Sequence, residues 1–431
     1  MSTTRKRNVM DVIDSLDENK KNILVRVDFN VPMDGDGKIT DDSRIRGAMP
    51  TIEAILKAKD NAILVSHMGR PKLVQKGGDD DETKEQRKKL SLEPVAKYLG
   101  GLLGQEVIFG ADCVGPKAEE AVASLPAEGG GVCLLENLRF HKQEEKNDPE
   151  FAKGLAALAD GYVNDAFGTS HRAHASVAGV PALLDDSLCG VGLLVDREIT
   201  YLDFSGKKPN EKIGAIIGGS KVSTKLPVIK GLISQVDVLV LGGGLAFTFA
   251  KAQGIPIGDS LCEDSMVDTA RDLIAEAKEK GKAMVLPIDA VCAPGFPSKP
   301  MTLEETKTFD MVPGAGIEDG WMGLDAGPKT VALFADALAP CSKIVFNGPM
   351  GVFEIAPFDQ ATKGLVDVLE DLTNKGTITV VGGGDSVAAM EQFGKTKAVS
   401  YISTGGGATL ELLAGDELPG VTAITDVAVT E

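Results

Sequence analysis

Short runs of apolar and β-branched residues recur along the first half of the chain, and helical patterns lie between them. Such runs are typical of strands in a parallel sheet, where both faces are covered. Their alternation with helices predicts parallel α/β structure with crossover helices. The predicted strands are NILVRVDF, AILVS, EVIF, VCLL and GYVND, and the predicted helices are PTIEAILKAK, which opens on Pro50, SLEPVAKYLGGLL and DPEFAKGLAALA.

The second half repeats this pattern more regularly, because each predicted strand leads through a loop into a helical stretch. Two doubly wound sheets fit the whole chain better than one barrel, which typically takes about 250 residues. We therefore expect an α/β protein with two doubly wound parallel-sheet (Rossmann-like) domains. The predicted strands of this half are IGAII, DVLVL, AMVLP, KIVF, TITVV and VSYIS.

An apolar helical stretch, SLCGVGLLVDREITYLDF, separates the halves and is followed by the polar SGKKPNEK. We place a connecting helix at 187–204, which makes 1–186 the first domain and starts the second at 205. The segment 72–90 is dense in mixed charge and poor in apolar residues. Because charge runs are usually solvated, we expect it to be an exposed insertion.

The composition is that of a globular protein, with 43% hydrophobic and 25% charged residues in 431. Its formal charge of −18 argues against nucleic acids and membranes as partners, since both select basic surfaces. The sequence contains neither a membrane-spanning run nor a secretory signal, so we expect a cytoplasmic protein, although a processed organelle form would look the same. The six cysteines form no C-x-x-C pair, which favours free thiols over a zinc site or disulfides.

Glycines end four of the predicted strands in the second half, and each glycine turn runs into a helix. Glycine lets backbone approach a ligand, and a helix N-terminus offers N–H groups to an anion. Ligands of open α/β sheets bind at the carboxyl ends of the strands, so four such turns at one edge predict a nucleotide phosphate chain. The turns are AIIGGSK, VLVLGGGLAF, ITVVGGGDSV and YISTGGGATLE.

Familiar nucleotide motifs are missing from the sequence. We find no G-x-x-x-x-G-K-[ST], and no G-x-G-x-x-G at a strand-to-helix turn. Lys221 and Lys225 follow the first glycine turn, where an ammonium could meet phosphate oxygens, although surface lysines are the commoner case. Asp385 follows the third turn and could either hold Mg²⁺ or cap a helix.

Basic side chains recur at the predicted strand ends of the first half. All four histidines, and every arginine except Arg271, precede residue 200. If the strands are parallel, these side chains form one cationic patch suited to a small, multiply anionic substrate. His171 and His174 form an H-x-x-H pair, but a metal site is disfavoured because no clear third ligand accompanies it and Arg172 would repel a cation. The patch comprises Arg26, Asp28, Arg44, His67, Arg70, Arg139, His171, Arg172 and His174.

Taken together and in order, these stretches resemble the motifs of the phosphoglycerate kinase family. The resemblance implies two doubly wound domains joined by a helix, with the nucleotide-binding domain at 205–415 and a tail, 416–431, that returns to the first domain. The motifs run from Arg26 to about Val421: RVDFNVP, DGKITDDSRI, SHMGRPK, LLENLRFH, DAFGTSHRAHAS, GGSKVSTK, VLGGGLAFTF, GWMGLDAGPKT, NGPMGVFE, VVGGGDSVAAM, STGGGATLELLAG and LPGV.

The resemblance also implies the activity, which is reversible phosphoryl transfer between MgATP and the carboxylate of 3-phosphoglycerate by a monomeric enzyme. The acceptor needs no general base, because a carboxylate with a pKa of about 4 is already ionised near neutral pH. Catalysis then reduces to alignment and charge neutralisation of a metaphosphate-like transition state, after closure about the connecting helix.

Residue roles follow from the same resemblance. Arg44 and Lys221 are expected to be catalytic, and the N–H groups of Gly405 and Gly406 to stabilise the transition state. The 3-phosphoglycerate ligands are expected to be Asp28, Asn30, Arg44, His67, Arg70, Arg139 and Arg172, with Arg26, His171 and His174 completing the patch. The nucleotide ligands are expected to be Lys221, Lys225, Gly323, Asn347, Glu354, Gly383, Gly384, Asp385 and Ser386, with Asp385 holding Mg²⁺.

Two rival functions remain to be weighed. A nucleotide-binding interaction protein of the same fold would have lost catalysis, but Arg44, Lys221 and Asp385 are all present. A hydrolase using the H-x-x-H pair would need a bound transition metal and would act without ADP. Phe346 and Ser386 depart from the family's frequent tryptophan and threonine, and neither change removes a chemical role.

Overall fold

The computed structural model describes residues 4–17, 19, 21–78, 80–204 and 207–429. Several predicted domain ends lie outside these ranges. They are Met1, Glu431 and residues 205 and 206, where the second domain was predicted to start. The strands are β1 (Thr4–Lys6), β2 (Asn22–Val27), β3 (Asn61–Val65), β4 (Val107–Gly110), β5 (Val132–Leu135), β6 (Gly161–Asp165), β7 (Cys189–Val191), β8 (Ile213–Ile217), β9 (Val238–Leu241), β10 (Ala283–Val285), β11 (Asp289–Ala293), β12 (Lys307–Asp310), β13 (Met322–Ala326), β14 (Lys343–Asn347), β15 (Ile378–Val381), β16 (Tyr401–Ile402) and β17 (Asp426–Ala428).

The α-helices alternate with these strands along most of the chain. They are α1 (Val9–Ser15), α2 (Ser43–Lys57), α3 (Lys72–Gln75), α4 (Asp81–Lys89), α5 (Glu93–Leu103), α6 (Pro116–Ala123), α7 (Pro149–Ala156), α8 (Leu193–Leu202), α9 (Val222–Gln235), α10 (Leu245–Ala252), α11 (Val267–Glu279), α12 (Pro328–Leu338), α13 (Gln360–Asn374), α14 (Gly384–Gln392), α15 (Gly407–Ala414) and α16 (Pro419–Thr422). In the described part of the chain, no helix is long and apolar enough to cross a membrane.

The chain divides into two compact units. The first comprises Met1–Thr200 with Glu417–Glu431, and the second comprises Tyr201–Asp416. The end of the chain joins the first unit through the antiparallel pair β1–β17 and through a hydrogen bond from Asn164 Nδ2 to the carbonyl of Gly420, 2.8 Å long.

A six-stranded sheet with the order β4-β5-β3-β2-β6-β7 forms the centre of the first unit. All of its pairings are parallel. The central strands carry runs of buried β-branched and apolar residues, which suit a sheet covered on both faces. Apolar side chains of α1, α2 and α5 pack against one face and build the main core.

The second unit contains another six-stranded parallel sheet, with the order β10-β9-β8-β14-β15-β16. It also has a three-stranded antiparallel sheet, β12-β11-β13, which the sequence pattern did not predict. The strand MGLDA explains why, since glycine, alanine and aspartate are depleted in strands. The two parallel sheets agree with the predicted fold class.

The predicted helix at 187–204 was too long. The structure has a strand, β7, before the helix α8 begins at Leu193. Gly192 permits this change of direction, because a Cβ there would lie 2.1 Å from Asp165 Oδ1. That carboxylate oxygen instead accepts the N–H of Leu194 at 2.9 Å and so caps the helix. Burial raises the pKa of Asp165 to about 7.

Two local expectations also need correction. Pro50 does not open a helix but lies inside α2, which already begins at Ser43. Packing outweighs the proline penalty there, since Ile45, Ile52 and Ile55 on α2 are fully buried. The segment 72–90 is largely exposed but contains two helices, α3 and α4.

Candidate active site

The basic side chains of the first unit follow the four central strands of its sheet. They come after β5, β3, β2 and β6, which are consecutive neighbours in the parallel sheet. Parallel strands bring their carboxyl ends to one edge, and this explains why residues up to 146 positions apart in sequence (28 and 174) lie together. We call this set the cationic edge: Asp28, Asn30, Arg44, His67, Arg70, Arg139, His171, Arg172 and His174.

Hydrogen bonds already hold several of these groups in place. Arg44, in the first turn of α2, donates to Asp28 Oδ2 at 2.9 Å and remains partly exposed. Asn30 Oδ1 accepts the N–H of Gly69 at 2.9 Å, and Arg139 Nη1 donates to the Gly69 carbonyl at 2.9 Å. The loop that carries His67 and Arg70 is therefore fixed from both sides.

Arg26 lies beneath the cationic edge rather than on it. Its side chain is fully buried, and each guanidinium nitrogen has a partner: Nε donates to Ser176 Oγ, Nη1 to the Val27 carbonyl and Nη2 to His67 Nδ1. In this geometry Arg26 supports the cationic edge from below, and its contact with a ligand stays a prediction. The period-two alternation of β2 gives the reason for its burial, because Arg26 points to a covered face of the sheet.

Burial among cations keeps the two inner histidines neutral. Burial and then Arg26, Arg139 and Arg44 hold the pKa of His67 well below its usual value. Burial followed by Arg26 and Arg139 lowers the pKa of His174 to about 4. Burial also lowers the pKa of Arg139, against the opposing effect of Glu145. The edge is thus strongly positive locally, although the whole chain is acidic.

The remaining predicted ligands lie at the outer part of this edge. Arg172 and Arg70 are exposed, and Arg172 Nε donates to His171 Nε2 at 3.2 Å. This bond uses a nitrogen that a metal would need. Within the described ranges, the one group of three candidate metal ligands is Asp112, Cys113 and His141, which contains neither histidine of the H-x-x-H pair.

Glycine turns occupy the corresponding edge of the second unit. They follow β8, β9, β15 and β16, and they precede α9, α10, α14 and α15. The four turns predicted from sequence are therefore at strand-to-helix junctions of one parallel sheet. We call this set the glycine edge: Gly218, Gly219, Gly242, Gly243, Gly244, Gly382, Gly383, Gly384, Gly405 and Gly406.

Close backbone contacts explain why glycine is needed at two of these junctions and at Gly348, which follows the neighbouring strand β14. A Cβ on Gly218 would lie 2.1 Å from the Pro349 carbonyl oxygen, and one on Gly348 would lie 2.2 Å from the Gly218 oxygen. Gly243 has φ +69°, and its Cβ would lie 2.7 Å from the nitrogen of Gly219. Any side chain here would push the turns apart.

Lys225 and Asn347 form a polar pair beside the glycine edge. Lys225 Nζ donates to Asn347 Oδ1 at 2.5 Å, and Asn347 Nδ2 donates to the Gly382 carbonyl at 2.9 Å. Burial lowers the pKa of Lys225, and Asp385 opposes that effect. Lys221, by contrast, is exposed immediately before α9.

The third and fourth glycine turns place the other predicted nucleotide ligands. Asp385 is exposed in the first turn of α14, after Gly383, while Ser386 is buried and its Oγ accepts the Gly348 N–H at 2.6 Å. Ser386 therefore stabilises the turn. Gly405 is buried and donates its N–H to Ser403 Oγ at 3.2 Å, whereas Gly406 is exposed before α15.

A cavity of about 900 Å³ opens beside the glycine edge. Three predicted ligands, Gly323, Glu354 and Asp385, line it together with the turns of β8 and β9. Its other side is apolar, which the sequence did not single out, because these residues come from separate loops and the unpredicted antiparallel sheet. The apolar side comprises Leu261, Phe296, Met311, Leu324 and Phe353.

Sequence reasoning also missed two residues below the cationic edge, Glu144 and Ser176. Ser176 donates to Glu144 Oε1 from its hydroxyl at 2.5 Å and to Oε2 from its N–H at 3.0 Å. Both side chains are fully buried. Glu144 stands in the charged stretch HKQEEKN, where nothing in the local pattern separates it from its exposed neighbour Glu145.

Two parallel α/β units, one with a cationic edge and one with a glycine edge and cavity, define a class of proteins that bind phosphorylated ligands at strand ends. A model of the family described as phosphoglycerate kinase matches residues 13–416. The chain therefore belongs to the phosphoglycerate kinase family, and the predicted family and fold class are confirmed.

Individual relatives agree over nearly the full chain. The phosphoglycerate kinase of Synechococcus sp. strain JA-3-3Ab is 50% identical over 406 residues, covering 94% of this chain and 95% of that protein. Phosphoglycerate kinase 1, chloroplastic, of Arabidopsis thaliana is 48% identical over 421 residues, covering 98% and 82%. The solved structure of phosphoglycerate kinase from Coxiella burnetii superposes with a TM-score of 0.82 at 37% identity, covering 95% and 97%.

Proposed function

We propose that this chain transfers a phosphoryl group reversibly between MgATP and the carboxylate of 3-phosphoglycerate, giving ADP and 1,3-bisphosphoglycerate. Family membership supports the reaction. The single observation that carries it at the level of residues is the cationic edge, where side chains from four neighbouring strands converge in a chain of net charge −18. A small acid with a carboxylate and a phosphate matches that local charge.

The exposed cations of the first unit are the proposed acceptor site. Arg44, Arg70 and Arg172 offer planar guanidinium groups, which bind carboxylates and phosphates in a bidentate manner. Arg139 and His67 stand deeper, and Asn30 fixes the loop that carries His67 and Arg70. Asp28 holds Arg44 and can also accept a hydrogen bond from the hydroxyl of the acid.

The glycine edge and its cavity are the proposed nucleotide site in the second unit. The apolar side of the cavity can cover a planar base, and Glu354 offers an acceptor for ribose hydroxyls. The glycine turns let the phosphate chain approach backbone N–H groups. Lys225 and Lys221 supply positive charge near those phosphates.

We assign the Mg²⁺ that accompanies ATP to Asp385. The residues fit such an ion, because Asp385 offers an exposed carboxylate to the cavity and oxygen is the donor that Mg²⁺ prefers. When bound, Mg²⁺ would neutralise charge on the phosphate chain. Lys225 interacts electrostatically with Asp385. The Lys225 ammonium and a Mg²⁺ ion held by Asp385 would therefore both lie close to the phosphate chain.

The chemical step follows from charge and alignment. Arg44 and Lys221 are the proposed catalytic residues, with Arg44 orienting the acceptor carboxylate and Lys221 following the transferred phosphoryl group. Gly406 is the better of the two predicted N–H donors, since the N–H of Gly405 is used by Ser403. Acceptor and nucleotide are assigned to different units, so we propose α8 as the hinge that lets them meet. The monomeric state and the cytoplasmic location stay predictions.

A coupled assay of ADP formation from MgATP and 3-phosphoglycerate tests the proposal, with Arg44→Ala and Lys221→Ala variants run beside the unmodified protein. We expect activity in the unmodified protein and its collapse in both variants, while folding and nucleotide binding survive. An unmodified protein that binds MgATP without transferring phosphate would instead support a catalytically inactive nucleotide-binding protein.

A further inference from the structure

A buried hydrogen-bond chain runs beneath the cationic edge through Glu144, Ser176, Arg26 and His67. We infer that Glu144, Ser176 and Arg26 are positioning residues that fix His67 as the neutral tautomer with its proton on Nε2. His67 then presents an N–H donor, and not an acceptor, to an anionic ligand. The identity of that ligand as 3-phosphoglycerate rests on the proposed function, whereas the tautomer does not.

The direction of each bond in this chain follows from the groups involved. The Ser176 hydroxyl has one proton, and Glu144 Oε1, 2.5 Å away, accepts it when the carboxyl group is ionised. Ser176 Oγ must therefore accept in its second bond, which is the 2.9 Å contact from Arg26 Nε. The hydroxyl thus joins a buried carboxylate to a buried guanidinium.

Arg26 determines the state of His67 in the same way. A guanidinium can only donate, so the ring nitrogen that faces it must be an acceptor. Arg26 Nη2 lies 3.2 Å from His67 Nδ1, and Nδ1 is therefore unprotonated. In the neutral ring the proton is then on Nε2.

The charges of the surrounding groups maintain this neutral state. Burial and three arginines hold the pKa of His67 well below its usual value. Asp28 Oδ1, 3.9 Å from Nδ1, is too far for a hydrogen bond and its carboxylate is already bound by Arg44. A buried arginine without a nearby anion would be unfavourable, and Glu144 supplies that anion through Ser176.

Nuclear magnetic resonance of protein labelled with nitrogen-15 in histidine tests the inference without any substrate. The chain has only four histidines, and a His67→Gln variant identifies the His67 signals. We expect a pyridine-type Nδ1 and a pyrrole-type Nε2 in the unmodified protein. Arg26→Gln, Ser176→Ala and Glu144→Gln should each shift His67 toward a mixture of tautomers.

Glu136→Gln is the matched control. Glu136 is also buried and accepts from a serine hydroxyl, Ser91, and from two backbone N–H groups, but it has no bond to Arg26 or His67. Its removal should leave the His67 signals unchanged. A protonated Nδ1 in the unmodified protein, or an unchanged His67 in folded Arg26→Gln or folded Ser176→Ala, would overturn the inference. Ser176→Ala keeps the test decisive if the charge variants do not fold.

Kinetics provide the second readout. Loss of one ordered hydrogen bond to an anion corresponds to about a tenfold change in binding, so Ser176→Ala should raise KM for 3-phosphoglycerate about tenfold and change KM for ATP by less than about twofold. Equal changes in both constants would indicate a general structural effect and contradict the positioning role. A wild type without phosphoryl transfer but with the expected tautomer would remove the proposed function and leave the hydrogen-bond chain intact.

Discussion

The candidate binding edges of the two units consist of different chemical groups. The cationic edge of the first unit consists mainly of charged side chains that are held by hydrogen bonds, as Arg139 is by the Gly69 carbonyl and Arg44 by Asp28. The glycine edge of the second unit consists mainly of backbone, where Gly218 and Gly243 leave no room for a Cβ. The first edge should therefore be sensitive to loss of charge, and the second to gain of volume.

The largest effect is expected from removing Arg44. Arg44→Ala should lower kcat/KM by about 1,000-fold, because a preorganised cation near developing charge typically contributes that much. Arg46→Ala is the matched control, since Arg46 lies on the same helix, is exposed and pairs with Asp42. Steady-state kinetics with 3-phosphoglycerate check the pair. Equal losses in both variants would show that net charge, and not position, matters.

The glycine edge should respond to a single methyl group. Gly243→Ala forces a side chain into a left-handed backbone and against Gly219, so we expect affinity for ATP to fall by about 100-fold. Gly295→Ala adds the same methyl group where nothing lies within 4 Å. Calorimetric titration with MgATP compares the two variants. Unimpaired binding by Gly243→Ala would refute the close backbone arrangement.

Acid sensitivity due to histidine should be confined to the first unit, which contains all four histidines. The pKa of His174 is about 4 in the folded protein, below its usual value, so the unfolded chain takes up a proton first as the pH falls below about 6.5. Above that pH His174 is neutral in both states, and its contribution to the free energy of unfolding no longer changes with pH. Between pH 7 and pH 5 it should decrease by roughly 2 kcal/mol.

Urea unfolding of the unmodified protein and of His174→Gln at both pH values measures this contribution as a difference. The stability advantage of the unmodified protein over the variant should shrink toward pH 5. An advantage that is constant, or that grows, would mean that His174 is not held neutral by its cationic neighbours.

The smallest expected effect is that of salt, which should change ligand binding at the two edges to different extents. Raising ionic strength from about 0.05 M to 0.5 M screens exposed charges, so KM for 3-phosphoglycerate should rise about fivefold. KM for MgATP should rise less, because backbone N–H groups and apolar contacts contribute more to that site. Kinetics at constant Mg²⁺ check this difference, and a larger change for MgATP would reverse the comparison.

The fold could be predicted from sequence wherever strands are buried on both faces. Runs such as VCLL and IGAII have one plausible state, and their alternation with helices determines the parallel sheets. The strands β11 to β13 could not be predicted, because their residues have weak strand preference and gain their structure from pairing. The start of α8 depends likewise on a distant carboxylate, Asp165.

The candidate site could be predicted to the extent that it follows strand ends. The positions of Arg44, His67 and Arg139 at one edge follow from parallel topology alone. Burial does not, so Arg26 was expected in the cationic patch and Glu144 was overlooked. A charged residue can contact a ligand, or it can support another residue that does. Packing across the sheet decides between the two, and a local sequence pattern carries no information about that packing.

The central claim is that the acceptor binds to the first unit and the nucleotide to the second. Calorimetric titration of both ligands into Arg44→Ala and Gly243→Ala tests it most directly. Arg44→Ala should lose affinity for 3-phosphoglycerate and bind MgATP normally, whereas Gly243→Ala should do the reverse, with circular dichroism confirming that both are folded. Loss of both ligands in either folded variant, or loss of the wrong one, would contradict the assignment of acceptor and nucleotide to separate units.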